Sequence, residues 1–166
     1  MIIILENNER LIYKDFEFKC SIGKAGKIKN KKEGDKKTPK GLFSLGSLFY
    51  RSDRNKKPET KLPCIKIKKQ MGWCDDPSSQ KKYNKLIKIN DKTQISYEKL
   101  FRKDGSYDLF IPINYNTKKT ILGKGSAIFI HLTKNYKKTL GCIALEKKDF
   151  LILAKIINKN TKIRIS

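Results

Sequence analysis

The sequence predicts a mainly β domain, a β-sandwich or partly closed barrel, with one amphipathic helix near the C-terminus. Three observations support this. Most of the chain consists of short apolar or alternating runs separated by turn residues. Only one stretch carries apolar residues at helical spacing. No internal repeat or domain-sized linker interrupts the 166 residues, so we expect a single domain over residues 1–166.

Strands are predicted from the first residues onward. The runs MIIILE, RLIYK and FEFKCSIG open the chain, and ENNE forms a turn between the first two. A polar loop rich in glycine and lysine follows, after which GLFSLGSLFY returns to strand character. The polar stretch from Arg51 to Pro63 leads into CIKIKK, which alternates strictly and places Ile65 and Ile67 on one face.

The second half of the chain carries the strongest β signals and the helix. GWCDDPSSQKKYN is predicted as a loop because proline and serine punctuate it. DLFIPINYN and SAIFIHL are predicted as central strands, and TKIRIS as a closing strand. Between them, LEKKDFLILAKIINKN predicts the helix. Its apolar face comprises Phe150, Leu151, Leu153, Ala154, Ile156 and Ile157.

The chain is strongly basic, and this charge bears on its partners. The formal net charge is +23, and the basic residues are 34 lysines and five arginines. Such a charge attracts polyanions or acidic substrates, although a lysine-rich composition alone would also produce it. Nucleic-acid binders usually concentrate arginine and aromatic residues, whereas these lysines are spread along the whole chain. We therefore expect no nucleic-acid partner, and keep a basic nucleic-acid-binding protein as an alternative.

Our expectations about compartment and cofactors rest on the segments and residue clusters that the sequence lacks. The apolar run Ile2–Leu5 is too short for a signal-peptide core, and no later run reaches the length of a membrane helix. We expect a cytoplasmic protein without a membrane span; the alternative is the periplasm or cell envelope, if Met1 is not the native start. The four cysteines form no CxxC motif, so disulfides and free thiols are both open. With a single histidine, no metal site or cofactor is expected.

The segment AIFIHLTKNYKKTLGCIAL contains the only histidine, His131, and Cys142. Gly141 precedes the cysteine, and a glycine there permits a tight turn that points backbone N–H groups at a developing oxyanion. A free thiol titrates near 8.5, so a partnering imidazole is needed to activate it at neutral pH. The segment therefore suggests a cysteine–histidine catalytic pair, although a buried structural histidine and thiol would give the same residues.

Two motifs in this segment resemble the active-site signature of the L,D-transpeptidase catalytic domain, the YkuD-like family. That signature is a strand ending in His, a variable spacer, then Ser/Thr-x-Gly-Cys, as in SAIFIH followed by TLGCIAL. TPKG, with Thr38, Pro39 and Gly41, resembles a second family segment. The resemblance runs from about Gly23 to Ile165. Most family members have His where this chain has Leu140, and many have Arg or Asn where it has Ala144.

The resemblance implies acyl transfer on peptidoglycan stem peptides or muropeptides. Separately, we expect a monomer. Cys142 would attack the carbonyl of the third, L-centred residue of a tetrapeptide stem, with His131 as base and D-alanine as leaving group. Backbone N–H groups around Gly141 and Cys142 would stabilise the oxyanion, with Thr139 in the same turn. An amine acceptor gives a transpeptidase, and water gives an L,D-carboxypeptidase. A non-catalytic peptidoglycan-binding domain is the alternative.

Five further residues are candidates for substrate binding. Trp73, the only tryptophan, lies in a predicted loop and either lines a pocket or covers the edge of the core. Tyr115 and Asn116 follow a strong strand and are placed to reach the rim of the site. Gly125 and Ser126 are predicted to allow close backbone approach beside His131.

Overall fold

Fifteen short strands and one helix form the fold, which a computed structural model describes over all 166 residues. In chain order they are β1 (Ile2–Glu6), β2 (Arg10–Tyr13), β3 (Phe16–Lys19), β4 (Lys27–Ile28), β5 (Thr38–Pro39), β6 (Gly41–Ser44), β7 (Leu48–Tyr50), β8 (Cys64–Lys66), β9 (Met71–Cys74), β10 (Leu86–Lys88), β11 (Tyr97–Lys99), β12 (Leu109–Pro112), β13 (Phe129–Leu132), β14 (Ile143–Leu145), α1 (Lys147–Ile156) and β15 (Lys162–Ile165).

The first sheet joins the two ends of the chain. Its strand order is β3-β2-β1-β15-β6, and β1 runs parallel to β15 while the other pairs are antiparallel. Although β1 is apolar throughout, the pleat decides which face is buried: Ile3 and Leu5 are buried, whereas Ile4 between them is exposed. The N-terminal strands and the closing strand were predicted from their short apolar or alternating runs, and the structure confirms them.

The second sheet carries the segment with His131 and Cys142. Its order is β14-β13-β12-β7-β8, with β13 and β14 parallel. All four residues of β12 are buried, because both faces of this sheet are covered. The prediction that this strand and β13 are central is confirmed by their positions in the sheet.

The main hydrophobic core lies between the two sheets and is closed at one end by the helix. Phe150, Leu153 and Ala154 of α1 are buried in it, whereas Leu151 is exposed although it belongs to the predicted apolar face. Bridges Ser21–Ala144 and Leu45–Ile113 join the sheets at two points, but no closed barrel forms. The fold is thus mainly β with one helix near the C-terminus, as predicted. The helix has ten residues and does not meet the length or apolarity needed to span a membrane.

The opposite face of the second sheet supports a smaller cluster that includes Cys142. A three-stranded sheet, β10-β9-β11, lies at this face, and Trp73 of β9 packs against Phe129 with ring centroids 5.1 Å apart. The prediction that GWCDDPSSQKKYN is entirely a loop is therefore wrong, because its first three residues belong to β9. Gly72 interrupts the apolar pattern by which a strand is predicted. A Cβ at this position would lie 2.9 Å from Ile89 Cγ2, so the close packing requires glycine.

Candidate active site

A cleft of about 700 Å³ opens where the turn before β14 meets the end of β13. Cys142 and His131 both line it. One wall comes from the lysine-rich loop and the segment before β13, and the opposite wall is rich in charged groups from the small sheet and the loop after it. The two walls include Lys31, Glu33, Ser126 and Thr139 on the first side, and Asp75, Glu98, Arg102, Asp104 and Tyr107 on the second.

The register of the two parallel strands brings the thiol and the imidazole to one face. His131 pairs with Ala144, which places Cys142 opposite Phe129 and diagonal to His131 on that face. The thiol donates to the carbonyl of Ala127 at 3.2 Å and accepts the N–H of Phe129 at 3.3 Å. The strands thus hold the two side chains that the sequence singled out in one cleft.

The imidazole is oriented by the backbone. His131 Nδ1 lies 2.9 Å from the carbonyl oxygen of Leu132, and because a carbonyl only accepts, Nδ1 carries the proton. Nε2 therefore keeps its lone pair and can act as a base. The ring also packs edge-on against Tyr107, with centroids 5.4 Å apart. No carboxylate contributes to this orientation.

Burial keeps both groups neutral at pH 7. Burial raises the pKa of the Cys142 thiol to about 12, although the N–H of Phe129 favours the thiolate. Burial also lowers the pKa of His131 to about 4, against the opposing effect of the Leu132 carbonyl. The resting pair is therefore a neutral thiol and a neutral imidazole. A nucleophile forms only as the proton moves from sulfur to nitrogen.

The turn before the nucleophile is built around the hydroxyl of Thr139. This hydroxyl accepts the N–H of Gly141 at 3.1 Å and donates to the carbonyl of Cys142 at 2.6 Å. Gly141 has φ +139°, where a side chain would be strained. Of the N–H groups around Gly141 and Cys142 that were expected to stabilise an oxyanion, that of Gly141 is bonded to Thr139. The N–H of Cys142 has no acceptor within the chain and is the free donor at this turn.

Ser126 and Gly125 lie beside this turn, at the end of the loop that precedes β13. Ser126 lines the cleft and donates to Glu33 at 2.7 Å. Gly125 has φ +100°, and a Cβ there would lie 2.8 Å from Lys31 Cε. The close approach predicted at Gly125 exists, but the neighbour it accommodates is the stem of a buried lysine.

Trp73, Tyr115 and Asn116 do not line the cleft, contrary to the prediction that they bind substrate. Instead, they are tied together behind it by the buried Asn84. Its amide nitrogen donates to the carbonyls of Tyr115 and Asn116, and its oxygen accepts the Trp73 indole N–H at 3.0 Å. The same oxygen accepts the N–H of Ala127 at 3.1 Å, which positions the backbone that contacts the Cys142 thiol. These residues support the site from behind.

The sequence reasoning missed a buried ion pair in the first wall. Lys31 is only 2% exposed and lies 2.5 Å from Asp35. Burial opposes the ionisation of Asp35, but hydrogen bonds from Lys31 and from two backbone N–H groups together lower its pKa. Nothing in a loop with so many lysines distinguishes this one. The only local signal is GD at positions 34 and 35, which is typical of a turn.

The second wall carries a charged network. Burial raises the pKa of Glu98, which the nearby Arg102 partly offsets. Arg102 also binds Asp104 at 2.5 Å, and the Tyr107 hydroxyl donates to Glu98 at 3.4 Å. Asp75 Oδ1 is buried and has no hydrogen-bond partner. This wall is therefore the acidic side of the cleft in an otherwise basic protein.

The chain offers no site built for a metal. No group of three or more His, Cys, Asp or Glu side chains is placed to hold an ion together. All four cysteines are free thiols, and three of them, Cys20, Cys74 and Cys142, are buried. The chemistry available in the cleft is therefore that of a thiol, an imidazole and backbone donors.

Comparison with known proteins gives one match. The family model for YkuD, the L,D-transpeptidase catalytic domain, matches residues 1–165. A search of curated proteins found no match, and a search of solved structures found none either. The family match covers essentially the whole chain and agrees with the mainly β fold and its single C-terminal helix. The chain belongs to the YkuD family of L,D-transpeptidase catalytic domains.

Proposed function

We propose that this protein transfers the acyl group of peptidoglycan tetrapeptide stems through a thioester on Cys142. The bond cleaved joins the L-centred third residue to the terminal D-alanine. The observation that carries the proposal is the placement of Cys142 and the only histidine on one face of adjacent parallel strands, in one cleft. Family membership supplies the substrate class.

In the first half-reaction, the peptide bond to D-alanine is cleaved and the thioester forms. As the sulfur bonds to the scissile carbonyl carbon, His131 Nε2 takes the thiol proton. The carbonyl oxygen becomes an oxyanion within reach of the Cys142 N–H, the free donor of the turn. Collapse of the tetrahedral intermediate breaks the carbon–nitrogen bond. The imidazolium returns its proton to the departing amine of D-alanine, and the thioester remains.

The second half-reaction decides which product forms. Water attacking the thioester yields a tripeptide and makes the protein an L,D-carboxypeptidase. An amine from a second stem yields a cross-link and makes it a transpeptidase. In both cases His131 removes a proton from the acceptor and returns it to the sulfur. The net charge of +23 favours encounter with stems that carry several carboxylates.

The test is incubation of the purified protein with disaccharide tetrapeptide, followed by mass spectrometry of the products. Loss of one D-alanine without dimers is the carboxypeptidase result, and cross-linked dimers are the transpeptidase result. Cys142→Ala abolishes both products. Cys64→Ala, which removes a half-buried thiol outside the cleft, leaves the rate unchanged.

Two results would overturn this proposal. One is the absence of turnover by the wild type, and the other is equal turnover by Cys142→Ala. Muropeptide binding that is unaffected by Cys142→Ala, in a protein without turnover, would then identify a peptidoglycan-binding domain. Binding to nucleic acid that weakens steeply with added salt would identify the basic binding protein instead.

A further inference from the structure

Lys31 is buried, which is unusual for a lysine in a polar surface loop. It is 2% exposed, and its aliphatic stem runs across Gly125, where a Cβ would lie within 3.1 Å of three stem carbons. Its ammonium lies 3.5 Å from the position that a Cβ of Gly141 would take. Two glycines with positive φ thus leave the space through which this side chain reaches the turn before Cys142.

The ammonium is held in place but its hydrogen-bonding capacity is not filled. It donates to Asp35 at 2.5 Å and to the carbonyl of Lys32 at a long 3.4 Å. An ammonium has three donors, so one N–H has no acceptor in the chain. Asp35 is itself fixed by the N–H groups of Lys32 and Lys37, both at 2.9 Å. Lys31 is also one of the residues that line the cleft.

The simplest structural role, a stabilising ion pair, does not account for this arrangement. Burying two charges costs several kcal/mol in desolvation, and apolar residues of similar size often replace such pairs without loss. A buried donor without an acceptor adds a further cost. The arrangement is explained if the missing acceptor is an anionic group of the substrate, which gains a charge-assisted hydrogen bond on binding.

We propose that Lys31 binds the α-carboxylate of the D-residue that leaves, and so restricts cleavage to stems with a free C-terminus. This inference rests on the proposed function and assigns the leaving-group side of the same cleft. Three bonds separate the scissile carbonyl carbon from that carboxylate carbon, a path of at most about 4.3 Å. The Lys31 ammonium reaches Gly141, the residue next to Cys142, so the carboxylate of a substrate attacked by Cys142 is expected close to it.

Arg102, the cation of the acidic wall, is half-exposed and is already paired. Arg102 lies in the acidic wall, where its guanidinium binds Asp104 through two nitrogens and lies 3.8 Å from Glu98. A substrate carboxylate there would face two protein carboxylates. Lys31 lies in the opposite wall. It has one carboxylate partner, Asp35, and keeps one N–H donor free. The cleft is also lined by four exposed lysines, Lys36, Lys134, Lys137 and Lys138, so Lys31 is its one buried cation with a free donor for the C-terminal carboxylate.

The experiment compares two substrates, disaccharide tetrapeptide with a free C-terminus and the same peptide ending in D-alaninamide. The wild type is expected to cleave the acid about 10- to 100-fold more efficiently in kcat/KM, the range for a charge-assisted hydrogen bond. Lys31→Met loses that factor on the acid and keeps its rate on the amide. Lys32→Met, which removes the neighbouring exposed lysine, retains the full preference.

A second variant separates this role from a folding defect. Lys31→Met leaves the half-buried Asp35 without its partner, so Lys31→Met/Asp35→Asn removes both charges together and is expected to lose the preference in the same way. Equal cleavage of acid and amide by the wild type would overturn the inference while the proposed function stands. An equal loss of kcat/KM on both substrates in Lys31→Met and in Lys31→Met/Asp35→Asn would also overturn the inference. Cleavage of neither peptide by the wild type overturns the proposed function and this inference with it.

Discussion

The titration of His131 is the sharpest physical consequence of the site, because no other histidine is present to obscure it. Burial lowers the pKa of this imidazole from the model-compound value of 6.5 to about 4. The native state therefore binds fewer protons than the unfolded chain between these two values. Stability contributed by the neutral ring is fully present above pH 6.5 and is lost as the pH falls toward 4.

The size of this loss follows from the shift. One pKa unit corresponds to about 1.4 kcal/mol, so the free energy of unfolding decreases by about 2 kcal/mol at pH 5 and about 3 kcal/mol at pH 4 through this group alone. Carboxylates also titrate in this range, so the wild type must be compared with His131→Gln, which lacks the titrating ring. The difference between the two proteins isolates the contribution of His131.

Two assays measure the effect. The NMR resonance of the single imidazole, followed from pH 3 to pH 8, is expected to titrate with a midpoint near 4. Urea unfolding of the wild type and of His131→Gln across the same range gives the difference in stability. A midpoint near 6.5, or parallel stability curves for the two proteins, would refute the buried neutral imidazole and the general base that depends on it.

Two substitutions test the turn and its neighbour. Thr139→Val removes the hydroxyl that accepts the Gly141 N–H, so it is expected to cost about 1–3 kcal/mol of stability and to lower kcat about 10- to 100-fold. Thr139→Ser is expected to restore both. A fully active Thr139→Val would contradict this account. Gly125→Ala is expected to destabilise the protein more than Gly123→Ala in thermal unfolding, by about 1–3 kcal/mol. Both glycines have positive φ, but only at Gly125 does a Cβ collide with Lys31, so equal losses would contradict the packing described.

The sequence predicted the fold well where burial leaves a regular pattern. The apolar runs of β1 and β12 and the alternation in β15 identified strands because one or both of their faces are covered. The strand β9 was missed, since Gly72 and the polar residues after it removed the apolar pattern. Its pairing with β10 and β11 is a tertiary effect that no local pattern contains.

The residues of the candidate site were likewise predicted only in part. Cys142 and His131 were identified because their residue types are chemically distinctive and because the motif around them resembles the family signature. Lys31 and Asn84 were not, because their importance comes from burial and from partners remote in sequence. Lys31 is one of 34 lysines, and Asn84 bonds residues more than 30 positions away. Trp73 was a candidate for lining the cleft because it was expected in a loop, with covering the edge of the core as the alternative; it packs against Phe129 behind the site.

The most direct test of the central claim is the mass of the protein itself during turnover. The protein is mixed with disaccharide tetrapeptide, quenched in acid within seconds and analysed as the intact chain, then mapped by proteolysis. We expect an added mass equal to the tetrapeptide substrate less D-alanine, carried by Cys142 and absent from Cys142→Ala. Release of D-alanine without any adduct, or an adduct on Cys20, Cys64 or Cys74, would contradict the thioester mechanism.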